Sequence, residues 1–216
     1  MGYGMEAERP GAQQWVPPAA DVAGLREAVG ACRGCELWAD ATQAVFSTGP
    51  VGARLLLVGE QPGDQEDRQG VPFVGPAGRL LREALEAAGI NPDQTYLTNA
   101  VKHFRHTLRG KRRIHEKPSV GQLEACHPWL DAELAAVRPR LVVCLGATAA
   151  RAVLGHDVKV GEARGLVQAA PGISAPVLVT VHPSAVVRLY GRDGWDEAFA
   201  ALVADLKTAL EAATER

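Results

Sequence analysis

Two hydrophobic periods alternate along this chain. Continuous apolar runs of strand length occur at Leu55–Gly59, at Thr95–Val101 with its strand ending at Asn99, at Leu141–Leu145 and at Val177–Val181. Between them apolar positions recur at helical spacing. Asp21 caps a helix through Ala31 with Val22, Leu25 and Val29 on one face. Pro76–Ala88 forms a helix stopped by Gly89, and Ser119 caps another through Val137. Gly146 opens a short helix through Leu154, and a last helix spans Gly194–Ala212. Strands alternating with helices predict a parallel sheet covered on both faces. The strand-end residues Gly59, Glu60, Asn99, Gly146 and His182 then gather along one edge, where open parallel sheets bind ligands. Residues 1–20, rich in Gly, Pro and Gln, read as a flexible N-terminal arm, and 21–216 as a single domain.

The longest break in this pattern is Gly59–Gly78, GEQPGDQEDRQGVPFVGPAG. It joins the first strand to a helix, carries Glu60, Asp64, Glu66 and Asp67, and holds an aromatic, Phe73, between Pro72 and Gly75. Loops of this length in compact domains are functional or disordered, and an aromatic favours the first.

Charge adds a second landmark. The chain is nearly neutral, at −2 with a pI near 6.3. Yet Lys102–Lys117 holds seven basic residues against one acid, so this segment carries +6 and the remainder −8. A basic patch on an acidic body suits a local polyanion site, although most charge runs are solvated loops. No membrane-spanning run, signal peptide or internal repeat is evident, and a cytoplasmic setting is expected.

The four cysteines are Cys32, Cys35, Cys126 and Cys144. Disulfides are a poor expectation for a cytosolic chain. Cys32-x-x-Cys35 reads as a redox pair, a metal half-site or chance, and it closes a helix where a thioredoxin-like pair would open one. Four thiolates suit zinc or an iron–sulfur cluster, while Cys144, in an apolar strand, also suits a plain core residue.

Taken together, GEQPG, PFVGPAG, TNAVKHFR, LVVCLGATAA and HPSAVVR resemble the iron–sulfur uracil-DNA glycosylases of family 4. The insert KRRIHEKPS is similar to that of the variant subgroup called UdgX. The resemblance runs from Cys32 to the C-terminus. It implies a three-layer α/β/α sandwich around a central four-stranded parallel sheet, and a [4Fe-4S] cluster on Cys32, Cys35, Cys126 and Cys144 with an architectural role. It also implies uracil-containing DNA, single- or double-stranded, as substrate and a monomeric protein.

The chemistry assigns roles to the remaining motifs. A base must leave the stack to be cleaved. Phe73 resembles the family's stacking aromatic and Asn99 its reader of uracil O4 and N3–H. The Asp64–Asp67 stretch is the expected wall against the thymine methyl. Glu60 or Asp64 supplies a negative field or a base near C1′, because the sugar gains oxocarbenium character as uracil departs. His182 and the backbone around Gln61 stabilise the uracil anion. Ser184, Arg188, Lys111, Arg112 and Arg113 hold the DNA backbone. His115, inside the insert, is the expected nucleophile that captures C1′ and leaves the protein covalently attached to the abasic site. Three other readings stay open: a turning-over glycosylase in which His115 only contacts phosphate, a non-catalytic iron–sulfur sensor of uracil, and a nucleotide-binding α/β protein. The last lacks a GxxxxGK[ST] or GxGxxG motif after the first strand.

Overall fold

The computed structural model describes residues 9–215. The chain runs α1 (Val22–Val29), β1 (Leu55–Gly59), α2 (Asp64–Gln69), α3 (Pro76–Ala87), β2 (Tyr96–Asn99), β3 (His106–Arg109), β4 (Arg112–His115) and α4 (Val120–Val137). It continues through β5 (Leu141–Leu145), α5 (Ala147–Leu154), α6 (Val160–Ala163), β6 (Val167–Ala170), β7 (Ile173–Thr180), α7 (Pro183–Val187) and α8 (Trp195–Thr214).

The main sheet has the order β2-β1-β5-β7-β6. Its first four strands are parallel. Every residue of β1 and β5 is buried, as expected of parallel strands covered on both faces. Side-chain alternation sorts them into two layers. Leu56, Val58, Val142, Cys144 and Val179 pack with α1, α4 and α5. Leu55, Leu57, Val143, Leu145 and Leu178 pack with α3, α7 and α8. The three-layer α/β/α architecture is therefore observed.

The sheet has five strands, not four. β6 pairs antiparallel to β7 through the tight Pro171–Gly172 turn, in which Gly172 takes a φ of +75°. β7 begins at Ile173, upstream of the expected Val177, because Pro176 is tolerated where the β6 register shifts between Gln168 and Ala170.

The basic segment is not a loop. β3 and β4 form a separate antiparallel ribbon, with Arg109 opposite Arg112 across Gly110 and Lys111. Gly110 has a φ of +62°, which suits a two-residue hairpin turn.

The described part of the N-terminal segment is seated on the body, where a flexible arm was expected. Ala12 is buried, its N–H donates to the carbonyl of Ala125 at 2.7 Å, and Gly11 donates to Gly34 at 3.0 Å. Arg9 pairs with Glu36 at 2.8 Å. Residues 1–8 of that segment lie outside the described residues. Gly34 is needed for this seat, since a Cβ there would lie 2.8 Å from the backbone nitrogen of Ala12.

Candidate active site

The carboxyl ends of β1, β2, β5 and β7 meet at a cleft of about 450 Å³, lined among others by Gln65, Phe73, Asn99, His115, His182 and Arg188. A hollow of about 580 Å³ beside His127 and Asp131 is larger, but it carries none of the strand-end side chains.

Local structure explains how each group arrives there. Gly59 ends β1, and a Cβ on it would lie 2.3 Å from Asn99 Oδ1 and 2.8 Å from the Phe73 ring. Both side chains can therefore cross over the strand end only because residue 59 is glycine. Phe73 has a φ of +59°, a strained conformation for an aromatic residue that its surroundings impose. Gly78 passes so close to the Phe73 carbonyl that any Cβ would overlap it. Glu66 clamps the same turn, accepting hydrogen bonds from Gly63 N at 3.1 Å and Gly75 N at 2.7 Å.

Asn99 is almost fully buried, yet its side-chain amide has no partner among the described residues. A buried amide left open in a cleft is poised for a ligand. Its main chain is held from below. The ammonium of Lys102 donates to Asn99 O at 2.9 Å and Thr98 Oγ1 at 2.7 Å, and forms an ion pair with Glu133. Glu133 also accepts from Thr98, and the Tyr96 hydroxyl lies 3.1 Å away. Both members of the Lys102–Glu133 pair are fully buried.

His182 is the N-cap of α7, and its Nδ1 accepts the Ser184 N–H at 3.2 Å, with the Ser184 hydroxyl at 2.8 Å. Burial, helped by the charges of His115 and Arg188, pushes its pKa down to about 4. The ring is thus neutral at physiological pH. With Nδ1 accepting, the remaining proton sits on Nε2, which becomes a hydrogen-bond donor. Gly146, with a φ of +89°, leaves the space for this histidine, since a Cβ there would lie 3.0 Å from His182 Cβ.

The hairpin brings His115 to the opposite wall. Its Nε2 lies 3.3 Å from Glu60 Oε1, and the other Glu60 oxygen accepts from Thr148. Gln61 fastens the base of the hairpin: its Nε2 donates to Arg105 O at 3.1 Å and Glu116 O at 3.0 Å, while its Oε1 accepts from Arg105 N at 3.0 Å. The Gln61 side chain is therefore spent on the hairpin.

Two expected positions differ. Asp67 does not wall the cleft; it is fully buried, accepting from Thr42 N at 2.9 Å and from Arg113 at 2.6 Å. Asp64, Gln65 and Glu66 are the members of that stretch that line it. Arg113, expected on phosphate, turns inward to Asp64 at 2.5 Å and to Asp67, and these carboxylates raise its pKa against the opposing effect of burial. Lys111 and Arg112 are exposed at the hairpin tip, and Arg188 lies beside Ser184 at 3.4 Å.

All four cysteines are buried, and all four belong to the core layer between the sheet and α1 and α4. Three of them influence one another. Burial chiefly, with neighbouring thiols adding to it, pushes Cys35 up to about 11 and Cys126 up to about 12, the latter against the charge of Lys102. Cys144 enters the layer from β5 and is raised by burial alone. N–H donors point at two of the sulfurs: Trp129 Nε1 at Cys32 and Lys102 N at Cys126, both at 3.3 Å. Among the described residues no three His, Cys, Asp or Glu side chains sit at metal-binding spacing. The donor set nevertheless fits an iron–sulfur group in kind: four thiols enclosed in one layer, with N–H groups directed at sulfur. His103, buried next to Lys102, has no hydrogen-bond partner among the described residues, and its pKa is pushed down to about 4 by burial and by the charge of Arg33 between Cys32 and Cys35.

His103, Thr148, Glu66 and the Lys102–Glu133 pair were missed from sequence. Glu66 and Lys102 counted there only as charges, in the acidic loop and the basic segment, and His103 and Thr148 only as members of the TNAVKHFR and LVVCLGATAA motifs.

With this geometry in place, comparison with known proteins gives the class. Residues 46–207 match the model of the uracil DNA glycosylase superfamily, and the chain belongs to that superfamily. It is 32% identical to the type-4 uracil-DNA glycosylase of Pyrobaculum aerophilum over 174 residues, covering 78% of this chain and 85% of that protein. It is 34% identical to the type-4 enzyme of Thermotoga maritima over 165 residues, covering 76% and 82%. Against the type-4 enzyme of Sulfurisphaera tokodaii it is 37% identical over 123 residues, covering 56% of this chain and only 53%, about half, of that protein. Among solved structures, a candidate uracil DNA glycosylase from Methanosarcina acetivorans matches at 14% identity, with a TM-score of 0.41 over 76% of this chain and 97% of the other. No helix among the described residues is long and apolar enough to cross a membrane.

Proposed function

We propose that this protein excises uracil from DNA and then captures the resulting sugar at His115, staying bound to the abasic site as in the UdgX subgroup. The observation that carries the reading is the 3.3 Å approach of His115 Nε2 to Glu60 at a cleft that also holds Phe73, Asn99 and neutral His182.

The flipped base stacks on Phe73, and the open Asn99 amide meets O4 and N3–H. Cytosine reverses donor and acceptor there and leaves buried groups unpaired, at about 1–3 kcal/mol each. As the C1′–N1 bond breaks, its electron pair moves to uracil, and the Nε2–H of His182 stabilises the anion. The sugar's positive charge develops near Glu60. The unprotonated ring nitrogen of His115 then bonds to C1′, and Glu60 accepts the proton carried by the other nitrogen. Water is outcompeted because the imidazole is held in place by the hairpin.

A [4Fe-4S] cluster, which the family-4 resemblance implies, would be held by Cys32, Cys35, Cys126 and Cys144. When bound, it would link the turn after α1 to α4 and β5 through these thiolates. No step of the reaction runs through it.

A denaturing gel after incubation with a uracil-containing oligonucleotide tests the reading. A band retarded by the mass of the protein, absent with His115→Ser, supports it. Alkali-labile abasic DNA without any retarded band means ordinary turnover, and untouched DNA means a binder.

A further inference from the structure

We infer that Thr148 is a positioning residue for Glu60, and that its hydroxyl decides which carboxylate oxygen faces His115. The inference rests on the reading of His115 and Glu60 given above.

Glu60 follows directly on β1, and its carboxylate has only two partners among the described residues. One oxygen, Oε2, accepts the Thr148 hydroxyl, and the other, Oε1, faces His115 Nε2. The terminal torsion of a glutamate is soft and nearly two-fold, so an unheld carboxylate swings. A single donor on one oxygen fixes its plane and commits the other oxygen to the histidine, as outer partners orient ligating and catalytic side chains elsewhere.

Thr148 is well placed for this. It is 4% exposed and is the second residue of α5, which packs against both β5 and β1. Its hydroxyl is not needed by the helix: the N-cap of α5 is Gly146, which supplies no side-chain cap, and among the described residues the hydroxyl's one partner is Glu60. The same turn makes room for His182 at Gly146. The end of the central strand β5 thus supports both acid–base groups without touching the base, Glu60 through Thr148 and His182 through Gly146.

The test is a double-mutant cycle on single-stranded uracil DNA, with adduct formation and uracil release timed separately. Thr148→Val keeps the shape and removes the donor. It should slow adduct formation about tenfold, the size of one hydrogen bond to a charged group, with the half-saturating DNA concentration unchanged. Thr148→Ser should restore the rate. In a Glu60→Gln background, Thr148→Val should have no further effect, because its action runs through the carboxylate. Wild-type rates in Thr148→Val, or an additive loss in the double variant, overturn the inference. A folding defect is recognised by a lowered melting temperature in Thr148→Val, and Thr148→Ala, which also lacks the donor, then carries the cycle with the same two outcomes. Wild-type protein that releases uracil without crosslinking overturns capture at His115 instead, and the cycle is then read on uracil release.

Discussion

Arg113 on the hairpin meets the fully buried carboxylate of Asp67 on α2 at 2.6 Å, and this pairing sets where His115 stands two residues further on. The guanidinium also holds Asp64 and the Thr42 hydroxyl, so the ribbon is latched to α2 at its middle and, through Gln61, at its base. Arg113→Leu leaves Asp67 buried and unpaired. The variant should lose about 3 kcal/mol of stability. It should also form adduct more slowly than it releases uracil, because the proposed excision step uses Phe73, Asn99 and His182 while the proposed capture uses the hairpin. A calorimetric melt and a quenched time course read the two effects. Equal loss of capture and release would mean that the latch does not position His115.

The tip of the ribbon should behave differently from its middle. Lys111 and Arg112 are exposed, whereas the Arg113 side chain is 13% exposed and already paired. Replacing Lys111 and Arg112 by Ala should weaken single-stranded DNA binding and flatten the log–log salt slope by about 0.7 for each phosphate no longer engaged. Arg113→Leu should leave that slope unchanged. A slope altered by Arg113 and not by the tip pair would reverse the assignment.

The same contrast shows what was legible in the sequence. The parallel strands were legible because continuous apolar runs flanked by capped helices have few other solutions. The strand-end cleft followed from topology. β6 was missed because Val167–Ala170 is a half-exposed edge strand with little pattern, and the ribbon because its charge masked the Gly110–Lys111 turn. Types of site residue were readable, but their pairing was not. Asp67 and Arg113 are both charged and both near the site, and nothing in a linear chain says that each is spent on the other. For Cys144, the apolar strand and the cysteine count gave opposite expectations. Strand alternation decides its face: Cys144 points into the layer that holds the other three cysteines.

His182 gives a pH signature. Its folded pKa, about 4, lies below the usual value near 6.5, since burial disfavours the charged ring. Between those values the unfolded chain binds more protons, so stability is complete above about pH 6.5 and falls as pH drops toward 4. The contribution is about 3 kcal/mol. His182→Asn should therefore lose less stability than wild type between pH 7 and pH 4.5 in urea denaturation. An unchanged difference would show that the ring titrates normally in the fold.

The burial of the cysteines leads to the last expectation. Cys32 and Cys35 follow α1, Cys126 sits on α4 and Cys144 on β5, so a cluster bound to all four would join three elements of one core layer. Metal binding to such a set contributes to folding, because the unfolded chain does not hold the thiolates together. Cys126→Ala and Cys144→Ala should each lose iron and acid-labile sulfide and much of the soluble yield. Base selectivity in the protein that remains should change little, since Phe73 and Asn99 are placed by the turn around Gly59 and Gly78. A plain core role for Cys144 predicts something else: full iron content in Cys144→Ala, with only the small cost of a missing buried sulfur. The buried His103 beside Lys102 supplies the comparison. His103→Ala should keep its iron. Iron retained in Cys144→Ala and missing in His103→Ala would replace the fourth thiolate by the histidine, and stoichiometric zinc without sulfide in the wild type would replace the cluster altogether.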